Sequence, residues 1–78
     1  MAWTRLTDRQ AAYATWVLDT HFEEQKPAII ERNVITFVGD DGRQEFLEAL
    51  QDEMAYDRAC GRAGRVAPTL ATKIKDLY

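Results

Sequence analysis

Pro27-Ala28-Ile29-Ile30-Glu31-Arg32-Asn33-Val34-Ile35-Thr36-Phe37-Val38 is the stretch on which the fold turns. Val34 to Val38 is β-branched and aromatic, the composition of a half-buried pleated strand. Pro27, in contrast, suits the first position of a short helix running through Arg32. A strand cannot stand alone, because its backbone N–H and C=O groups would lack partners. Three partners are open. Ala28 to Glu31 could return through an Arg32-Asn33 turn, or Arg43 to Phe46 could return through Gly39-Asp40-Asp41-Gly42. The third is another chain, which makes a homo-oligomer an expectation of the sequence. The reading at this point is one short β element at about residues 34–38.

The flanks are helical. Thr7 followed three residues later by Gln10 is a capping box: the threonine oxygen accepts from an early helical amide while the glutamine reaches back to the cap's own N–H. A helix over about 7–25 follows, with Pro27 disfavouring helix at Lys26. A second helix spans about 41–60, opened by Asp40 or Asp41 and closed by Gly61 in a left-handed position. Its stripe is Phe46, Leu47, Leu50 and Met54, and Asp57 projects near the same stripe. Pro68-Thr69 opens a short helix over about 69–78, whose face of Leu70, Ala71, Ile74, Leu77 and Tyr78 needs a partner to be stable in water. The expected fold is mainly α, with α+β possible, in a single domain covering 1–78.

Composition narrows the classes. The chain has 78 residues, of which 46% are hydrophobic and 29% charged, so it has room for one core and no second domain. No apolar run approaches the roughly 20 residues that cross a bilayer. The N-terminal residues show no apolar secretory segment and Cys60 is the single cysteine, which together suggest a reducing cytoplasm and a free thiol.

Charge is unevenly spread. Residues 1–57 hold five basic against twelve acidic residues, whereas Arg58, Arg62, Arg65, Lys73 and Lys75 face Asp76 alone in the remainder. The basic segment is the alternative functional reading, a nucleic-acid contact. Gly61-Arg62-Ala63-Gly64-Arg65 resembles the arginine motif of superfamily 2 helicases, in which arginines contact nucleotide phosphates. That family also needs a phosphate loop and a metal-binding acidic motif, and this sequence contains neither.

On a helical wheel, Ala11, Tyr13, Ala14, Val17, Leu18 and Phe22 form an apolar arc, and Trp16 falls on the charged side. Trp16, with Ala12 beside it to leave room for approach and Asp19 and Glu23 as an acidic rim, is the candidate anchor for a partner protein with a basic surface. The competing reading covers Trp16 with Trp3 and the N-terminal segment. His21 lacks the companion ligands of a metal site and, like Cys60, the companions of a catalytic set. No catalytic residue, metal or cofactor is expected. The function expected is a small non-enzymatic interaction domain, a regulator or inhibitor of the kind that phages and mobile elements encode.

Overall fold

The computed structural model describes residues 3–39, 41–61 and 66–77. In chain order it contains β1 (Trp3–Arg5), α1 (Asp8–His21), β2 (Ala28–Glu31), β3 (Val34–Phe37), α2 (Gly42–Ala59) and α3 (Val66–Lys75). The fold is a small α+β domain in which three helices cover one face of a three-stranded antiparallel sheet of order β1-β3-β2.

The sheet resolves the opening ambiguity. β2 pairs with β3 through a tight turn at Arg32 and Asn33, both in the left-handed region (φ 50° and 63°). Such a two-residue turn matches the right-handed twist of the strands. No short helix forms after Pro27, because Ala28 and Ile30 are needed on the core side of β2, opposite Phe37 and Ile35. Arg43 to Phe46 is not a returning strand but the first turn of α2. The other edge of β3 is taken by Trp3–Arg5 rather than by another chain. The expected single β element is therefore a three-stranded sheet, and an unpaired strand gives no reason for a second copy.

α1 begins as the sequence indicates. Thr7 accepts from the Gln10 amide (3.1 Å), and Gln10 Oε1 accepts from the Thr7 amide (3.0 Å). Its end comes earlier than Pro27 alone implies: Phe22 is already extended, although its N–H still donates to the Leu18 carbonyl. The chain has to reverse within the next few residues to enter β2, and the half-buried Phe22 ring packs against the core as it does so. Asp41 sits at the start of α2 without a side-chain cap; Asp40 lies outside the described residues. Gly61 takes the left-handed position past the end of α2 (φ 75°). α3 starts at Val66, which puts Pro68 in the first turn, where a missing N–H costs nothing. Tyr78 lies outside the described residues.

The core is one cluster between the sheet and the helices. Ile35 and Phe37 from β3, Val17 and Leu18 from α1, Phe46 and Leu50 from α2, and Leu70 and Ile74 from α3 are all buried in it. No helix is long and apolar enough to cross a membrane among the described residues.

Candidate functional site

Helix spacing builds a groove between α1 and α2. Tyr13, Trp16 and Thr20 recur at intervals of three and four on α1, and Tyr56 and Asp57 stand three and four residues after Glu53 on α2, so each trio lies on one side of its helix. These six residues line one open groove. Trp16 is 50% exposed, and its ring meets that of Tyr13 edge to face, with centroids 5.9 Å apart and planes at 81°. This T-shaped contact is the favourable arrangement of two aromatic quadrupoles, and it holds the indole in place without burying it. Tyr56, itself exposed, adds a third aromatic ring.

The electrostatics are negative. Burial, and after it the carboxylates of Glu53 and then Asp57, push the Tyr13 phenol above its ordinary range. The same two carboxylates lie in the last turns of α2, where the helix dipole is itself negative. His21 Nε2 meets Glu53 Oε1 at 2.8 Å and secures the groove at that end. An aromatic surface flanked by carboxylates attracts a cation, both to the faces of the rings and to the acids.

The carboxylates that line the groove with Trp16 are those of Glu53 and Asp57. Asp19 forms an exposed ion pair with Lys26 (2.6 Å), and Glu23 is exposed beyond the end of α1. Ala12 is exposed one turn before Trp16. Trp3 does not cover Trp16; it belongs to β1 on the far face of the sheet. Glu53 and Tyr56 were missed by sequence reasoning, yet a signal existed. The stripe Phe46, Leu50 and Met54 continues at helical spacing into Glu53 and Asp57, and a core-facing stripe that turns acidic marks where α2 leaves the core.

The basic residues have separate placements. Arg58 and Lys75 are exposed near the ends of α2 and α3. Lys73 Nζ is engaged within the fold, donating to the Arg5 carbonyl (3.0 Å) and to Gln10 Oε1 (2.9 Å). Arg62 and Arg65 lie outside the described residues. Cys60 is an exposed free thiol, and no cluster of metal-ligating side chains occurs among the described residues.

In comparison with known proteins, no family model, no curated protein and no solved structure matches this chain.

Proposed function

We propose that the domain is a non-enzymatic interaction module that captures a basic segment of a partner protein in the groove between α1 and α2. The observation that carries this reading is the convergence of Tyr13, Trp16 and Tyr56 with Glu53 and Asp57 on one open surface. A lysine or arginine side chain laid in the groove would stack its charge on the indole and approach the carboxylates of α2. Contacts of this kind contribute about 0.5–2 kcal/mol each, depending on how far the pair is desolvated. Long-range attraction between the acidic body and a basic segment would speed encounter. Occupying a partner's basic surface is how such a module would act as a regulator or inhibitor.

The test uses Trp16 as its own reporter, in a Trp3→Phe background. Titration with a tetra-arginine peptide is expected to change the Trp16 fluorescence saturably, and raised salt should weaken the effect. The double variant Glu53→Gln with Asp57→Asn should lose at least tenfold in affinity, and a tetra-glutamate peptide should give no response. An unchanged emission at millimolar peptide, or an equal response in the double variant, would overturn the proposal. Thermal unfolding of Trp16→Ala belongs beside it: the half-exposed ring predicts a small loss of stability with a large loss of binding.

A further inference from the structure

The sheet face turned away from the helices has a chemistry of its own. Trp3, Thr36 and Ile29 lie opposite one another in one row across the three strands, and Arg5, Val34 and Glu31 form the next row. Since Ile35 and Phe37 point into the core, strand alternation sets both rows on the opposite face. Nothing among the described residues covers that face: Trp3 is 60% exposed and Ile29 57%. Ile29, Glu31, Val34 and Thr36 border a shallow depression in it. The patch thus has an apolar middle, a cation on one edge strand and an anion on the other, both level with Val34.

We propose that this face binds a second copy of the chain, the two sheets stacking about a two-fold axis that runs along β3 between them. Rotation about that axis lays β1 of one copy over β2 of the other and leaves each residue at its own level along the strand. Arg5 then faces the partner's Glu31, and Glu31 faces the partner's Arg5. Trp3 covers the partner's Ile29, while Val34 and Thr36 meet their own counterparts near the axis. The charges select this axis. A two-fold running across the strands would set Glu31 on the partner's Ile29 and bury a carboxylate against apolar surface.

Stacked sheets are rotated by about 30°, which over strands this short displaces the edge residues by only about 3 Å, within the reach of arginine and glutamate side chains. Arg32, at the turn, meets the rim of the patch, where a long cationic side chain keeps its head in water. Strands of three and four residues make a patch smaller than the roughly 800 Å² per partner of a standard stable interface, so association is reversible and concentration-dependent. This interface is separate from the α1–α2 groove, which lies on different elements and stays open in the dimer.

Sedimentation velocity from micromolar to millimolar protein tests it. The native chain is expected to shift from monomer to dimer over that range. Arg5→Glu places two pairs of like charges in the interface, as does Glu31→Arg, and each alone should weaken association about tenfold or more. Ile29→Asn should weaken it as well. Mixing the Arg5→Glu and Glu31→Arg proteins is expected to restore association, because each heterodimer contact then pairs opposite charges. Circular dichroism of each variant should match the native spectrum, since all three side chains are exposed. A native chain that stays monomeric throughout, single reversals that associate like the native chain, or a mixture that stays monomeric would each overturn the proposal.

Discussion

Gln10 and Lys73, 63 residues apart, share a hydrogen bond of 2.9 Å that joins the start of α1 to α3. Gln10 is only 7% exposed, and its Oε1 also accepts from the Thr7 amide while its Nε2 donates to Thr69 Oγ1 (3.5 Å). One amide group therefore serves as both helix cap and interhelical tie. Gln10→Ala removes the glutamine half of the capping box, leaving the Thr7 side-chain cap in place but the Thr7 amide and Lys73 short of a partner, with an expected loss of about 1–3 kcal/mol in urea unfolding. Gln10→Glu, which keeps the acceptor and adds charge opposite Lys73, should lose much less.

Gly42 is required by close approach rather than by a turn. A Cβ there would come 2.5 Å from the Pro27 carbonyl oxygen, a backbone atom that cannot swing away. Gly42→Ala must push α2 off the start of β2 and should cost about 1–3 kcal/mol, even though alanine is the better helix former. A denaturation midpoint equal to the native one would show that the junction yields freely.

The hairpin turn offers the opposite opportunity. Arg32 adopts a left-handed conformation that costs most side chains about 1–2 kcal/mol and suits asparagine better. Arg32→Asn is expected to raise stability by about 0.5–1 kcal/mol, measurable as a higher melting temperature.

Leu70 and Ile74 are fully buried on α3. Truncating either to alanine should cost about 2–4 kcal/mol, and unaltered unfolding midpoints for both would mean that α3 does not belong to the core.

Tyr13 makes stability depend on alkaline pH. Its phenol titrates above the ordinary value because burial, Glu53 and Asp57 all disfavour the phenolate. The fold therefore favours the protonated form. That contribution is fully present below the ordinary phenol value of about 10 and is lost as the pH rises through the raised one. Tyr13→Phe removes the titration, so the stability of the native chain relative to this variant should fall as the pH rises above the ordinary phenol value of about 10. A difference that stays constant over that range would rule out the linkage.

What could be read beforehand was local. Thr7 and Gln10 announce a helix start within four residues, Gly61 its counterpart at the end of α2, and the spacing of Leu70 and Ile74 a buried face. What could not be read was non-local or doubly coded. Trp3-Thr4-Arg5 carries no strand pattern of its own and becomes β1 only because β3, some thirty residues later, offers an open edge. Gly42 looks like a turn glycine, and the sequence holds no sign that the Pro27 carbonyl occupies the space beside it. The groove was half legible: the wheel exposes Trp16, but the identity of its acidic neighbours depends on how α2 crosses α1.

The contact between Lys73 and the Arg5 carbonyl spans 68 residues of chain, and Leu70 and Ile74 supply fully buried parts of the core. Synthesis proceeds from the other direction. The β2–β3 hairpin and the separate helices are each marginal alone as they emerge from the ribosome, and the core lacks one wall until residue 74 is free to dock. β1 must find a non-local partner in the same closing step. Such distant pairings slow folding, because loop closure has to precede the contacts that reward it. The nascent domain is therefore expected to hold its apolar sheet face and core open until α3 is released, so that folding is cooperative and late rather than progressive along the chain.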